Sequence, residues 1–123
     1  MKVSRLVQIA TETVAAELRR FPPDIRAAAR AVPVHCEPAP SPEVLADGFE
    51  PDILGLFSGD PHGTGLAQDN PAPPQILLYI RNLWDYSEEN VEVFRDEVRL
   101  TYLHELGHFL GWDEDEIAAR GLD

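Results

Sequence analysis

The sequence predicts a compact, single-domain α+β fold in which a short sheet packs against helices. Three apolar runs have the length of β-strands, and longer stretches carry apolar residues at helical spacing. Strands and helices do not alternate strictly, which favours a three- to four-stranded sheet packed against an N-terminal helix and a long C-terminal helix. We expect residues 1–123 to form one domain, because a chain of this length can bury a modest hydrophobic core without disulfides or metals to stabilise it.

The N-terminal third of the chain predicts two helices and a strand. Residues 3–20 read as an amphipathic helix because apolar side chains recur every three or four residues, at Val3, Val7, Ala10, Val14 and Leu18. Pro22 and Pro23 end this helix. Asp24 caps a short Ala-rich helix that runs to about Arg30, and residues 32–36 form the first strand.

The middle of the chain predicts two further strands separated by a long loop. A Pro-rich connection over residues 37–42 leads to a turn of helix at 43–46, and residues 53–57 form the second strand. Residues 58–74 form a polar loop of a length that is often functional. The third strand, residues 75–80, is nearly all apolar, so we expect it to be covered on both faces.

The last third predicts a long helix over residues 87–110 and a short one over 114–120, giving three or four helices in all. On a helical projection at about 100° per residue, His104 and His108 share one side with Glu97 and Thr101. The apolar residues of the helix occupy the opposite arc. We therefore expect one side to pack on a core and the other to face a cleft.

The polar side of this helix carries the sequence His104-Glu105-Leu106-Gly107-His108, an HExxH motif. Two His residues four apart lie one above the other, so both imidazoles can reach one Zn²⁺. Glu105 projects beside the metal, where it can take a proton from a water molecule. The alternative interpretation is a half-exposed His pair with a helix-stabilising charge, although chance alone produces the motif in roughly one such sequence in a hundred.

A third metal ligand is predicted from the residues after the motif. Gly111 provides a left-handed residue that ends the helix and lets the chain double back, so that Glu114 can supply an oxygen. Three protein ligands and a water make an open, catalytic zinc site. Asp113 followed by Glu116 is also typical of the start of a new helix. On that interpretation Asp113 or Asp115 could equally approach the metal.

Charge and cysteine content limit the expected partners and location. The formal charge of −12 repels phosphate backbones, so we expect no nucleic-acid partner. The acidic residues near the motif form either a solvated helix face or a field that attracts cations. Cys36 is the only cysteine, and the sequence carries neither a signal-peptide pattern nor a membrane span. A cytoplasmic protein without membrane association is therefore expected.

The sequence resembles the small bacterial "minimal zincin" metallopeptidases. The resemblance rests on the HExxHxxGxx-acid block, on its flanks Val98–Leu103 and Gly111–Ile117, and on the apolar runs Ile53–Phe57 and Ile76–Tyr79. It implies a compact zincin-like fold, metal ligands at His104 and His108, and a base at Glu105. That family usually carries Asp at the position of its third ligand, where this chain has Glu114.

The function predicted from these residues is hydrolysis of peptide bonds in an unidentified peptide or protein substrate. Zn²⁺ held by His104, His108 and Glu114 activates water, and Glu105 acts as general base. Two alternatives remain open: a non-catalytic metal-binding or regulatory module, and a zinc hydrolase acting on other amides. Candidates for stabilising the oxyanion are Tyr79, Tyr86 and His62, whereas Tyr102 faces the core side of the helix. The oligomeric state is not predicted.

Overall fold

The computed structural model describes residues 1–59 and 73–119, without the side chain of Glu114. Within these ranges the chain forms six helices and three strands: α1 Val3–Arg20, α2 Pro23–Arg30, β1 Val34–Glu37, α3 Pro42–Ala46, β2 Gly55–Ser58, β3 Gln75–Tyr79, α4 Ile80–Tyr86, α5 Val91–Leu110 and α6 Glu114–Ala119. The predicted α+β class is confirmed. The prediction of three or four helices is wrong, because the described residues contain more.

Helix α4 is the main element that the sequence did not predict. Its buried residues Ile80, Leu83 and Trp84 follow helical spacing, but Ile80 also continues the apolar run of β3. The strand ends at Tyr79 and the helix begins without an intervening loop. As a result α5 begins at Val91 rather than near residue 87, and the side chain of Asn90 caps it by accepting a hydrogen bond from the Val93 amide at 3.1 Å.

The sheet has the strand order β1-β3-β2, so β3 is central. Strands β1 and β3 are parallel, with Cys36 opposite Leu78, whereas β2 is antiparallel to β3, with Phe57 opposite Ile76. Four of the five β3 residues are buried, which confirms the expectation that this strand is covered on both faces. Strand β2 is at an edge of the sheet, and that edge matters for the site described below.

The hydrophobic core fills the space between one face of the sheet and the helices α1, α4 and α5. Helix α5 contributes its apolar side, with Phe94, Val98, Tyr102 and Leu106 nearly inaccessible to solvent. The Tyr102 ring stacks near Phe21, with centroids 6.5 Å apart. The predicted division of α5 into a core side and an open side is therefore confirmed for its buried residues.

Polar side chains cover the outer faces of the two longest helices, α1 and α5, as expected for helices that pack on a core through one side. In the described part of the chain, no helix has the length and apolar composition needed to cross a membrane. The guanidinium group of Arg26 in α2 donates to the carbonyl oxygens of Leu18, Arg19 and Phe21. These bonds satisfy carbonyl groups at the end of α1 and fix the angle between α1 and α2.

The turn between α4 and α5 contains two consecutive residues in the left-handed region, Glu88 with φ 54° and Glu89 with φ 59°. Their amides close the end of α4, because Glu88 N–H donates to Asp85 and Glu89 N–H donates to the Trp84 carbonyl, both at 3.1 Å. Left-handed backbone is unfavourable for residues with a Cβ, by about 1–2 kcal/mol each. The turn is therefore locally strained, although it is well hydrogen-bonded.

We expect Glu89→Gly to raise the free energy of unfolding by about 0.5–1 kcal/mol, because glycine adopts positive φ without steric cost. Chemical denaturation followed by circular dichroism measures this change. Glu50→Gly is the matched control: it removes the same charge at an exposed residue that is outside the left-handed region. Equal destabilisation by both substitutions would show that the turn is not strained.

Candidate metal centre

The site begins with a close approach of helix α5 to the edge strand β2 at Gly55. A Cβ atom on Gly55 would lie 2.6 Å from Cγ2 of Thr101 in α5 and 3.0 Å from the carbonyl oxygen of Leu77. Both distances are shorter than a carbon atom tolerates without a shift of its neighbours. Glycine at position 55 therefore allows the helix to lie directly against the backbone of the strand.

Glu105 connects the helix to the same strand. Its Oε1 accepts a hydrogen bond from the backbone N–H of Phe57 at 2.9 Å, and the residue is only 8% exposed. A nearly buried carboxylate is unfavourable unless it is hydrogen-bonded, and a bond from N–H to a charged oxygen is among the stronger ones. The edge of β2 thus supplies a donor that fixes the position of the Glu105 carboxylate.

His104 and His108 lie one turn apart on α5, with ring centroids 4.7 Å apart. His104 is partly buried, and the His108 side chain is 51% exposed. His108 Nδ1 lies 3.7 Å from Oε1 of Glu105. The structure therefore brings together three of the residues predicted from the sequence, with His104 partly buried, His108 exposed and Glu105 buried against β2.

The chemistry of this group fits zinc. One potential ligand atom from each of His104, Glu105 and His108 lies within 4.8 Å of the other two. Imidazole nitrogen and carboxylate oxygen are both ligands that Zn²⁺ accepts, and two imidazoles one turn apart match its coordination distances. Within this group, Oε1 of Glu105 already accepts a hydrogen bond from Phe57 N–H.

The end of α5 turns the chain back as the sequence predicted. Gly111 has φ 75° and is therefore left-handed. Its N–H donates to the His108 carbonyl at 3.2 Å, and Trp112 N–H donates to the Gly107 carbonyl at 2.8 Å. This pair of bonds is a Schellman motif, which ends a helix and satisfies its last carbonyl groups. The prediction of a left-handed stop at Gly111 is confirmed.

Helix α6 then packs on the last turns of α5 at Gly107, the glycine of the motif. A Cβ on Gly107 would lie 2.5 Å from Cδ1 of Ile117, so the absence of a side chain lets the two helices approach. Ile117 is 5% exposed. The packing of Ile117 brings the start of α6 back alongside the helix that carries the two histidines.

Of the three acids considered as a third ligand, Asp113 has a structural role. Its Oδ1 accepts a hydrogen bond from Glu116 N–H at 2.8 Å, which caps the start of α6. The Asp113 and Asp115 side chains are exposed, and neither joins the group of described metal-binding side chains. Glu114 is the first residue of α6, and its side chain lies outside the described part of the structure.

The structure does not bring the candidate oxyanion stabilisers to the described part of the cleft. Tyr79 is fully buried, and its hydroxyl has no hydrogen-bond partner among the described residues. Burial, and to a smaller extent the charge of Glu37, raises the pKa of Tyr79. Tyr86 lines a different cavity, beside Asp52. Tyr102 lies in the core, where burial and the charge of Glu17 raise its pKa to about 12. His62 lies outside the described residues.

A cleft of about 280 Å³ opens beside His104 and Glu105, between the start of β2 and α5. Its lining consists of Leu54, Gly55, Leu100, Thr101, His104 and Glu105. Sequence reasoning missed the two contributions of β2, the amide of Phe57 and the close approach at Gly55. An isolated glycine inside an apolar strand run is the signal that could have indicated such an approach.

We expect Gly55→Ala to lower the free energy of unfolding by about 1–3 kcal/mol, because its Cβ would push α5 away from β2. Thr101→Ser removes the methyl group nearest that Cβ. The double variant should therefore recover part of the free energy of unfolding that Gly55→Ala loses. Urea denaturation of the wild type, the two single variants and the double variant measures this recovery. Strict additivity of the two substitutions would contradict the contact.

Comparison with known sequences places the chain in a family. The sequence model of the family described as "Zincin-like metallopeptidase" matches residues 29–122, which include the whole HExxH helix. A comparison with curated proteins finds no match. The matched segment is more than half of the chain, and it confirms the resemblance noted from the motif and its flanks. The protein belongs to the zincin-like metallopeptidase family.

Proposed function

We propose that the protein is a zinc-dependent peptidase that hydrolyses peptide bonds with Glu105 as general base. The observation that carries this proposal is the nearly buried Glu105 carboxylate, held by the Phe57 amide and adjoining two imidazoles at an open cleft. A site that only held metal for structural reasons would need four protein ligands and would have no use for such a base.

The residues assigned to hold the metal are His104, His108 and Glu114. Zinc bound there would supply Lewis acidity, which lowers the pKa of water and polarises a carbonyl group. The two imidazoles are already adjacent, with ring centroids 4.7 Å apart. Glu114 is preferred to Asp113 because the Asp113 carboxylate caps α6. It is preferred to Asp115 because of its spacing from Gly111.

Glu105 is assigned two proton transfers. It takes a proton from the attacking water and then delivers it to the amine that leaves. The hydrogen bond from Phe57 N–H occupies Oε1 and prevents the carboxylate from turning freely. The orientation of the carboxylate is therefore set before substrate arrives.

An extended peptide is the substrate shape that suits the edge of β2. Adding a strand to a sheet edge uses the free backbone groups of the edge strand to hold a peptide of any sequence. The proposed substrate is therefore a peptide or an unfolded segment of a protein. A cytoplasmic location is proposed with it, supported by Cys36, which is a free cysteine.

We expect His104→Ala, His108→Ala and Glu114→Gln each to reduce the zinc bound per protein molecule, because each removes a ligand. Elemental analysis of protein purified without chelators measures the metal content. His35→Ala is the control, since His35 is exposed on β1 and lines a separate cavity. Asp113→Asn and Asp115→Asn should keep their zinc. Normal zinc content in Glu114→Gln with loss in either aspartate variant would contradict the Glu114 assignment.

We expect Glu105→Gln to keep its zinc and to lose peptide hydrolysis by a factor of about 10²–10⁴, as for removal of a general base. Turnover of a broad peptide library by zinc-loaded protein, read by mass spectrometry, measures this. Glu97→Gln, two turns earlier on the same side of α5, should retain activity. Wild type that binds zinc and cleaves no peptide would favour the non-catalytic module or a hydrolase of other amides.

A further inference from the structure

We propose that the cleft between β2 and α5 selects substrates with an apolar side chain next to the bond that is cleaved. This inference rests on the proposed peptidase function and adds the substrate class to it. The cleft measures about 280 Å³ and adjoins His104 and Glu105. That volume is at the lower limit of the roughly 300–1,000 Å³ typical of small-molecule sites, so it suits one side chain of a peptide.

The walls of the cleft away from the motif are uncharged. They consist of Leu54, Gly55, Leu100 and Thr101. Thr101 directs its Cγ2 methyl towards Gly55, so the floor is a methyl group and a bare backbone. Glu105 is the acidic group in the lining, and its Oε1 is engaged by Phe57 N–H. An apolar side chain is therefore favoured over an acidic one, which Glu105 would repel.

Leu100 is an apolar residue that is exposed to solvent and also lines the cleft. It is 37% exposed on a helix whose other apolar residues mostly pack inward. Single exposed apolar residues are common and carry no function by themselves. Leu100, however, also lines the cleft together with Leu54. Val93 is similarly exposed, at 41%, and lies two turns earlier on α5 outside the cleft, which makes it a matched control.

The hydrogen bonds of β2 indicate how a peptide would present a side chain to this cleft. The Leu54 carbonyl accepts from Tyr79 N–H at 3.0 Å, so Leu54 directs its backbone groups towards β3. In an antiparallel ladder alternate residues point the other way, so Gly55 and Phe57 direct their backbone groups away from β3, to the edge that no described strand pairs with. Phe57 N–H is taken by Glu105, which leaves Gly55 as the pairing position beside the cleft.

A peptide paired at Gly55 would have successive side chains on opposite faces of its strand, so every second one faces α5. The side chain on that face, nearest the motif, would enter the space between Leu54 and Leu100. Position 55 must itself lack a side chain, because a Cβ there would meet Thr101 at 2.6 Å. Gly55 thus allows both the contact between α5 and β2 and the entry of a peptide side chain into the cleft.

The first test is the cleavage profile of zinc-loaded protein on a peptide library in which one position varies among Leu, Ala, Asp and Lys. We expect Leu beside the cleaved bond to exceed Ala and Asp in kcat/KM by about tenfold, since hydrophobic pockets discriminate by factors of this order. A profile that is flat, or that favours Asp or Lys at that position, would overturn the inference while the peptidase function stood.

The second test compares Leu100→Lys with Val93→Lys. Both add a positive charge at an exposed position of α5, so effects on folding and on net charge are matched. Leu100→Lys should remove the preference for Leu and shift it towards Asp, because the new ammonium would lie in the cleft. Val93→Lys should keep the wild-type profile. Identical profiles for the two variants would overturn the assignment of the cleft.

A binding measurement separates this inference from the proposed function. Metal-free protein is titrated with acetylated, amidated Ala-Leu-Ala and Ala-Asp-Ala, and backbone amide shifts are followed by NMR. The inference predicts tighter binding of the Leu peptide, with shifts at the Gly55 and Thr101 amides that disappear in Leu100→Lys. If zinc-loaded protein cleaves nothing, the peptidase proposal fails and this titration still decides the inference. Equal binding of both peptides, or shifts elsewhere, would refute it.

Discussion

The contact between helix α5 and the edge strand β2 is the constraint on which the rest of the site depends. Two features create it: the missing side chain at Gly55, and the hydrogen bond from Phe57 N–H to Glu105. Without the first, the helix could not lie against the strand. Without the second, a carboxylate that is 8% exposed would have lost the hydrogen bond that offsets its burial. Together they set Glu105 beside both histidines, with an open cleft next to Glu105 and His104.

Helix α5 serves the core and the site through different sides. Val98, Tyr102 and Leu106 pack among α1, α4 and the sheet, whereas His104 and His108 are partly or largely exposed. The tight core holds the helix in place, so the positions of the two imidazoles along it are fixed by backbone geometry. The same helix ends in a Schellman motif at Gly111, and Gly107 lets α6 pack close by. Gly107 and Gly111 therefore meet different steric requirements: close packing of α6 at Gly107 and left-handed backbone at Gly111.

Features encoded locally were predictable from the sequence, and those that depend on distant contacts were not. The periodicity of residues 3–20 predicted α1 with its bounds, and the motif and its glycine predicted the His pair and the left-handed stop at Gly111. Helix α4 was missed because Ile80 fits both a strand and a helix pattern. The role of the Phe57 amide could not be predicted, because a backbone N–H has no sequence signature and Phe57 lies 48 residues from Glu105.

The most direct test of this account is a crystal structure of the zinc-loaded protein with anomalous diffraction measured at the zinc edge. The account predicts one peak between the rings of His104 and His108, within about 2.0–2.1 Å of a nitrogen of each. It also predicts that Oε1 of Glu105 still accepts the hydrogen bond from Phe57 N–H. A peak bound elsewhere, or imidazoles turned away from each other with Glu105 released from β2, would contradict it.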